Sequence, residues 1–479
     1  MTRFRPTLPP ALFLLICIPA SSFIASRCLA ADTPATQPSP SSSATKPALS
    51  IGTYTISIDL PTLSGKLFDQ FAYSFHGQTT IIPQGHGNFP SAYTGPHSQT
   101  DNSDVETSYT GTLFTGIRLF PGTEIYFDPE VSAGSGIGHV LGISDFPNGE
   151  ISRVSTPEPS PIIARLYLQQ TVGFGGEQED IADGQNQIVG RQDINRVTFT
   201  VGKFAATDIF DSNNYSHDPR TQFLNLGLVD NTAWDYPADT KGYIEGLAIE
   251  FNRKNYTLRY GIFREPGTAN GGALDDHWNR AFGQIVELEQ RYKLFNHPGA
   301  LRPMAYINYA DMGDYRAAID QNPTAPDVTT TRSYSHPKYG YGLSAEQEIT
   351  SDLGLFGRAG WNNGQSETWA FTEVDRTASL GLSLKGTSWT RPTDVFGLAG
   401  VISGLAKDHR DYLADGGLGF ILGDGQLRYA PEQILETYYS LGLTKNIFLA
   451  LDYQFVNHPG FNADRGPISI GAFRFHFEF

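Results

Sequence analysis

The last residues of the chain alternate between aromatic and polar side chains. Phe473, Phe475, Phe477 and Phe479 stand at every second position, with Arg474, His476 and Glu478 between them. Successive side chains of a β-strand point to opposite faces, so this segment predicts a strand with one aromatic face and one polar face. The same pattern extends over residues 109–119, 256–263 and 447–456. Strands of this kind separate an apolar environment from water.

Candidate strands with this alternation cover the chain after about residue 70. We expect them to begin near Phe71, Tyr109, Thr123, Ile163, Ile194, Tyr243, Tyr256, Gly283, Arg302, Tyr339, Leu353, Ala378, Asp394, Glu432, Ile447 and Ile468. The count is about sixteen, and an even number is what bacterial single-chain membrane barrels have, because closure leaves no strand edge in lipid. The predicted fold class is therefore all-β, a transmembrane antiparallel up-and-down β-barrel.

The lengths of the links between these strands support the same fold. Short links follow the second, sixth, tenth and fourteenth strands, and long links follow the first, third, fifth, ninth and thirteenth. Short periplasmic turns that alternate with long extracellular loops are typical of outer-membrane barrels. The link at about residues 175–193 is too long for this rule. It indicates either a periplasmic excursion or a misplaced strand.

The N-terminus predicts export from the cytoplasm. Arg3 and Arg5 precede a broken apolar run at residues 11–25, and small residues lead up to Ala30. This layout is typical of a secretory signal peptide, with cleavage expected after Ala30. Together with a barrel, a cleaved signal peptide over residues 1–30 predicts the bacterial outer membrane as the location.

Three further segments are expected after the signal peptide. Residues 31–50 are rich in Pro, Ser and Thr and have almost no bulky side chains, so we expect a disordered linker. Residues 51–70 are interpreted as a periplasmic lead-in. Residues 71–479 are expected to form the barrel as one domain.

Composition excludes several classes of protein. Both cysteines, Cys17 and Cys28, lie in the predicted signal peptide, so the exported chain would lack disulfides and thiolate metal ligands. A net charge of −16 without a long basic run argues against nucleic-acid binding, which depends on basic patches. No apolar stretch after residue 30 approaches the roughly 18 residues of a transmembrane helix.

The alternation also predicts which charges face the lumen. A water-filled lumen tolerates charged side chains, whereas the lipid face penalises them. The inward set is expected to include Arg118, Arg165, Arg196, Arg259, Arg358, Glu287, Glu289 and Glu436. Most of these residues are expected to be ordinary hydrated lumen charges, and a subset could form a constriction that sets what passes.

Residues 203–225 form the densest polar segment of the chain. The candidate sugar-contacting residues within it are Asp208, Asp211, Asn213, Tyr215, His217, Asp218 and Arg220. Such side chains bind hydroxyl groups well. Two interpretations stay open for the segment: an external lid, or a loop that folds into the barrel and narrows the pore.

Signals for an enzyme are weak. The sequence has no GxSxG elbow, no Walker loop and no HExxH motif. Asp275, Asp276 and His277 are interpreted as part of a solvated loop rather than a metal site, and no metal or cofactor is expected. A general porin, an outer-membrane enzyme such as a lipid hydrolase and, less favoured, a soluble sugar-binding β-protein are the alternatives.

Several stretches resemble the OprB-type carbohydrate-selective porins. They are EIYFDPEVSAGSGIG from Glu124, ISDFPNGE from Ile143, ARLYLQQTVGFGGEQE from Ala164, TVGKFAATDIFDSNNYSHDPRTQFLN from Thr200, AWDYPADTKGY from Ala233, GLGFILGDGQLRYAPEQILETYYS from Gly417 and the closing RGPISIGAFRFHFEF. The resemblance implies a sixteen-stranded outer-membrane barrel, passive diffusion of monosaccharides and small sugars, and assembly as a monomer or a trimer. The strand that ends in Phe479 is the expected contact with the barrel-assembly machinery.

Overall fold

The computed structural model describes residues 71–151 and 158–479. It also describes three short strand segments before them, Ser50–Ile51, Tyr54–Thr55 and Gly65–Leu67. The predicted signal peptide, nearly all of the linker and most of the lead-in lie outside the described residues. The division of the chain into these parts therefore stays a prediction.

Sixteen antiparallel strands form one closed barrel. Their bounds are Phe71–His86 (β1), Asp104–Phe120 (β2), Thr123–Gly134 (β3), Ser160–Gly173 (β4), Arg196–Phe204 (β5), Ile244–Asn252 (β6), Tyr256–Arg264 (β7), Phe282–Leu294 (β8), His297–Tyr309 (β9), Lys338–Glu348 (β10), Leu353–Asn362 (β11), Arg376–Gly386 (β12), Arg391–Gly404 (β13), Glu432–Gly442 (β14), Ile447–Asn457 (β15) and Ile468–Glu478 (β16). The predicted fold class is confirmed. Every expected strand start lies within five residues of an observed one. The largest differences are at Tyr109 and Arg302, which lie inside strands that begin at Asp104 and His297.

Closure joins the last strand to the first. Strand β16 pairs antiparallel with β1, from Ile470 opposite His86 to Glu478 opposite Gln78. Phe479 continues the pairing, because its backbone N–H and C=O both bond to Gly77. The barrel therefore has no free strand edge at its seam, which is the condition for strands in lipid.

The predicted alternation of faces is confirmed along the strands. In β15, Leu451 is 68% exposed on the outer face, whereas its neighbour Asp452 is 7% exposed on the inner face. In β16, Phe473 is exposed outside, and Arg474 and His476 are buried inside. Outward apolar and inward polar side chains are what a strand between lipid and a wet lumen requires.

The links confirm the alternation of short turns and long loops. At the short-turn end, residues 121–122 join β2 to β3. Glycine is required at position 122, because φ is +78° and a Cβ there would lie 2.2 Å from the Thr171 carbonyl oxygen. At the opposite, long-loop end, the links include residues 205–243, 310–337 and 405–431. Small helices lie in these loops, Leu226–Val229 (α1), Tyr315–Gln321 (α2) and Lys407–Ala414 (α3). Among the described residues, no helix is long and apolar enough to cross a membrane.

The exceptional link after β4 is a hairpin at the short-turn end. Strands Gln178–Ile181 and Gly190–Asp193 pair antiparallel within residues 174–195, here termed the lower hairpin. Of the two explanations for this link, the excursion is therefore correct, and the strands on either side of it were placed correctly.

Candidate functional site

The link between β5 and β6, residues 205–243, folds back into the barrel and is here termed the lumen loop. Its polar residues shape it locally. Asp208 accepts a hydrogen bond from the backbone N–H of Ala205, and Asn225 caps α1 by accepting from Gly227. Asp211 adopts a left-handed backbone conformation with φ +57°, which Asp tolerates better than most residues. Of the two interpretations of residues 203–225, the inward-folded loop agrees with this arrangement.

Carboxylates of the wall hold the backbone of the lumen loop. Glu287 accepts from the N–H of Asp211, Glu346 from Asn214, and Glu436 from Leu224 and Asn225, at N···O distances of 2.6 to 2.9 Å. Hydrogen bonds to an ionised acceptor are stronger than those between neutral groups. The inward glutamates therefore hold the loop in position, in addition to making the lumen wall polar.

Arg358 of β11 is the central fastening of the lumen loop. Its Nε lies 3.1 Å from each carboxylate oxygen of Asp211, and its Nη atoms donate to the carbonyl oxygens of Leu228 and Ser216 at 2.7 Å. The Arg358 and Asp211 side chains are each 1% exposed. A buried ion pair of this kind is stable when further hydrogen bonds satisfy its remaining donors, as they do here.

Aromatic contacts pack the loop against two well-separated strands of the barrel, β7 and β14. Phe210 meets Phe263 of β7 edge-on, with centroids 6.1 Å apart, and Phe223 meets Tyr438 of β14 edge-on at 4.9 Å. Edge-to-face pairs at these separations are favourable beyond the apolar area that they bury. An open space lies on the other side of the loop, beside β3, β4, β5 and β6.

That open space is a cavity of about 520 Å³, here termed the passage. It is bounded by the lumen loop on one side and by the barrel wall on the other. Its charged lining consists of Arg165, Arg220 and Lys241 and of Glu130, Glu150, Asp208, Asp218, Asp230 and Glu250. Acidic side chains therefore outnumber basic ones in this lining, six to three.

The two arginines of the passage hold fixed positions. Arg220 donates from Nε to Glu150 at 2.7 Å and from Nη2 to Glu130 at 3.2 Å. Arg165 donates to both carboxylate oxygens of Asp208, at 2.7 and 2.6 Å. A two-point contact fixes the plane of a guanidinium group, so its free edge is presented to the passage in one orientation.

Burial changes the acidity of groups in the loops that line the passage. It raises the pKa of Glu150, and Arg220 opposes this effect. It raises the pKa of Asp230 to about 7, with a further contribution from the nearby Asp211. It lowers the pKa of His217, which keeps the imidazole neutral near neutral pH. The passage therefore carries fewer charges than its residue types suggest.

Aromatic rings complete the lining. Tyr236 and Phe371 stack at 5.3 Å with an interplanar angle of 23°, and the Arg165 guanidinium lies 5.2 Å from the centre of the Tyr243 ring. Aromatic faces suit the apolar faces of pyranose rings, and paired charges exchange hydrogen bonds readily with hydroxyl groups. The arrangement is suited to a neutral solute with many hydroxyl groups.

The predicted loop residues divide into two groups. Those that line the passage are Asp208, His217, Asp218 and Arg220. Asp211 and Asn213 instead fasten the loop to the wall, Asn213 by donating to Ser344 Oγ at 3.2 Å. Tyr215 lines a separate cavity of about 1140 Å³ on the short-turn side of the loop. Their contact with sugar stays a prediction.

The predicted lumen charges form contacts inside the barrel. Arg165 lines the passage, and Arg358, Glu287 and Glu436 hold the lumen loop. Arg259 pairs with Glu287 at 2.8 Å and with Glu289 at 3.1 Å along the wall. Arg118 and Arg196 lie near the short-turn end and bond to the lower hairpin.

Several residues of the passage were not among the candidates, and they include Glu130, Glu150, Asp230, Lys241 and Tyr243. A signal for four of them was present. Glu130, Glu150, Lys241 and Tyr243 belong to the stretches EIYFDPE, ISDFPNGE and AWDYPADTKGY, on which the family resemblance rests. Asp230 lies in none of these stretches. Within the described ranges, no cluster of His, Cys, Asp and Glu has a geometry for a metal ion.

Comparison with protein families gives a match over most of the chain. Residues 106–479 match the family described as "Carbohydrate-selective porin, OprB family". The porin AaxA of Chlamydia abortus is 22% identical over 292 residues, which cover 59% of this chain and 54% of that protein. The chain thus matches about half the length of this curated relative.

A solved structure shows the same fold. The high-pH structure of OprB from Pseudomonas putida superposes with a TM-score of 0.63 and 17% sequence identity, covering 86% of this chain and 94% of that chain. At this identity the similarity concerns the fold. It agrees with the closed sixteen-stranded barrel described above.

Proposed function

Because the chain belongs to the OprB family of carbohydrate-selective porins of the outer membrane, we propose that it admits monosaccharides and small sugars to the periplasm by passive diffusion. The observation that carries the proposal is the passage, where Arg165 and Arg220 face Glu130, Glu150 and Asp208. Paired opposite charges offer hydrogen bonds to a neutral polyol, whereas a small ion meets both attraction and repulsion.

Transport by this route needs no chemical step. A sugar enters at the long-loop end, exchanges water for hydrogen bonds with the guanidinium and carboxylate groups, and leaves at the short-turn end. Permeation requires weak binding at several points, because tight binding would block release. We accordingly propose a channel without enzymatic activity, without a cofactor and without a metal.

Assembly and export are part of the same proposal. Export uses the signal peptide at residues 1–30, followed by the linker at 31–50 and the lead-in at 51–70. The C-terminal strand that ends in Phe479 is the proposed contact with the barrel-assembly machinery. Its outward aromatic side chains, Phe473 among them, support this role. Monomer and trimer both stay open for the assembled channel.

Liposome swelling tests the proposed selectivity. The purified, refolded chain is reconstituted, and the entry rates of glucose, a disaccharide and a zwitterionic amino acid of similar size to glucose are compared. Fast entry of glucose with slow entry of the amino acid is the expected result. Equal rates would favour the alternative of a general porin. Absence of swelling from folded, inserted protein would contradict an open channel of either kind.

A further inference from the structure

We propose that the tip of the lower hairpin, residues 184–187, forms a second hydrogen-bonding site for sugar hydroxyl groups and limits the size of the sugar that leaves the passage. This inference rests on the proposed function. It adds a neutral site on the periplasmic side to the charged site that the lumen loop forms with the wall.

The position of the tip carries the first part of the argument. Gln185 and Asn186 line the passage at its short-turn end. A third cavity, of about 590 Å³, lies beside the hairpin, and its lining includes Asn186, Gln187 and Gln169 of β4. Asn186 and Gln169 line both cavities, so these two amides lie at the boundary between them.

Unsatisfied polar atoms at this junction carry the second part. Among the described residues, Asn186 Oδ1, Asp128 Oδ1 and Arg165 Nη1 are buried without a hydrogen-bond partner. Asp128 is fully buried and accepts from Asn186 Nδ2 at 2.8 Å through its other oxygen. Buried polar atoms without partners are unfavourable, so the Asn186 amide, which lines both cavities, gains a hydrogen bond if it turns its free oxygen toward a sugar hydroxyl group.

The tip is fixed in place by contacts with several strands. Ser74 donates to the Gly184 carbonyl oxygen at 3.1 Å, and Gln185 donates to Glu478 at 3.1 Å. Asn186 has φ +52°, a left-handed conformation that Asn adopts readily in tight turns. The turn thus projects its amides into the lumen from a defined position.

An apolar contact and a polar contact support the flanks of the tip. Ile188 is 1% exposed and lies against Tyr126 in the space left by Gly116, where a Cβ would come within 3.4 Å of Ile188 and 2.7 Å of Tyr126. On the other flank, Asp183 lies 3.2 Å from His76. Both flanks of the hairpin tip are therefore held by side chains of the barrel wall.

The chemistry of the tip differs from that of the passage. Amides donate and accept hydrogen bonds without a net charge, so their contacts with a sugar are weaker than those of Arg165 and Arg220. A monosaccharide moves from the stronger site to the weaker one and then leaves. A disaccharide can reach both sites at once, which slows its release.

Swelling assays and block of ion current by glucose test this inference with three variants of the hairpin and with Gln169→Ala. In the first variant, Asn-Gly replaces residues 183–189, which shortens the hairpin below the junction. The second, Asn186→Gly, keeps the left-handed turn and removes only the amide. The control, Asp180→Asn, changes an 86% exposed side chain at the base of the hairpin. Heat-modified gel mobility confirms that each barrel is folded before transport is compared.

The expected result is a severalfold rise in the ratio of disaccharide to glucose entry for the shortened hairpin. Asn186→Gly should weaken the block of ion current by glucose about fivefold, the effect of losing one hydrogen bond. The control should match the parent. If the shortened barrel cannot be refolded, Asn186→Gly and Gln169→Ala provide the test.

Two results would overturn the inference. One is an unchanged ratio in a folded barrel with the shortened hairpin, and the other is glucose block that is unaffected in both Asn186→Gly and Gln169→Ala. The parent chain separates this failure from failure of the proposed function. If the parent prefers glucose to the amino acid, the sugar channel stands and only the second site is wrong.

Discussion

The lumen loop and the lower hairpin enter the barrel from opposite ends, and arginines of the wall bond to both, among them Arg358 to the loop and Arg118 to the hairpin. Arg358 donates to the loop from a side chain that is 1% exposed. Arg118 donates to the carbonyl oxygens of Ile188 and Val189 in the hairpin, at 3.1 and 3.2 Å, from a side chain that is 27% exposed. Arginine thus makes the same kind of contact in both places, buried at the lumen loop and partly hydrated at the lower hairpin.

The difference in exposure between Arg358 and Arg118 indicates how rigid the two inserts, the lumen loop and the lower hairpin, are. All five hydrogen bonds of Arg358 reach the lumen loop, so the loop cannot leave without breaking this ion pair and all of these bonds. Arg118 also bonds to Glu124 of the wall at 2.7 Å and keeps that partner if the hairpin moves. Water can replace its other contacts. We therefore expect the loop to be the permanent narrowing and the hairpin to be the more easily displaced one.

The largest effect should come from Arg358→Leu. It leaves the Asp211 carboxylate buried without its partner, a change that costs about 3–5 kcal/mol. The lumen loop should detach from β11, and single-channel conductance in planar bilayers should rise severalfold with larger current fluctuations. Asp211→Asn tests the same contact from the other side.

Arg391→Leu is the matched control for this prediction. Arg391 also pairs with a carboxylate, Asp394, but its side chain is 31% exposed at the short-turn end. Its removal should leave conductance unchanged. Parental conductance in Arg358→Leu would contradict the view that this buried contact keeps the loop in place.

The second effect concerns binding rather than position. Arg220→Ala removes a guanidinium group that lines the passage and leaves Glu130 and Glu150 without it. The affinity for glucose, measured by block of ion current, should fall about tenfold or more, as expected for a hydrogen bond to a charged group. General ion flow should change less than sugar binding.

Arg220→Lys separates charge from geometry. Lysine keeps the positive charge but lacks the planar fork that contacts both glutamates. Ion selectivity should therefore return to that of the parent, while glucose binding stays weak. Full recovery of glucose binding in this variant would show that charge alone is sufficient.

The fold was predictable because its signal is local. Each strand shows its two faces in a few consecutive residues, as Phe473 and Arg474 do, and the penalty for charge in lipid keeps that pattern strict. The count of strands followed directly. The lower hairpin was only half predicted, because length marks an excursion without indicating whether it turns into the lumen or away from it.

The site was predictable in composition but not in arrangement. Residues 203–225 stood out by their polar density, and Arg220 does line the passage. Asp211 has the same appearance in the sequence, yet it is buried against Arg358. Which of these charged side chains faces the passage depends on pairings between residues more than a hundred positions apart, such as that of Asp211 with Arg358. These pairings appear only when the barrel closes.

A third, smaller effect contrasts the acidity of the two inserts. Burial raises the pKa of Asp230 in the lumen loop from 3.8 to about 7. In the lower hairpin, hydrogen bonds from Gln178 and Gly175 lower the pKa of Asp193. Asp230 is protonated below its pKa and ionised above it, so the passage gains a negative charge between about pH 6 and about pH 8.

Reversal potentials measure this change directly. The ratio of cation to anion permeability should rise with pH in the parent and should rise less in Asp230→Asn. Asp193→Asn should follow the parent, because Asp193 is already ionised over this range. An identical pH profile in Asp230→Asn and the parent would place Asp230 outside the conducting path.

The smallest effect is expected from Arg118→Ala, the counterpart of Arg358→Leu at the other insert. The variant loses its hydrogen bonds to the carbonyl oxygens of Ile188 and Val189. Water reaches the Arg118 side chain, and a solvent-accessible contact of this kind contributes about 1 kcal/mol or less. The barrel should unfold at nearly the parental denaturant concentration, and mean conductance should stay close to the parental value. Protease cleavage within residues 174–195 should become faster, because the hairpin leaves the wall more often. If Arg118→Ala instead opened the channel as strongly as Arg358→Leu, the hairpin would be as firm a narrowing as the loop, and burial would not explain the difference between them.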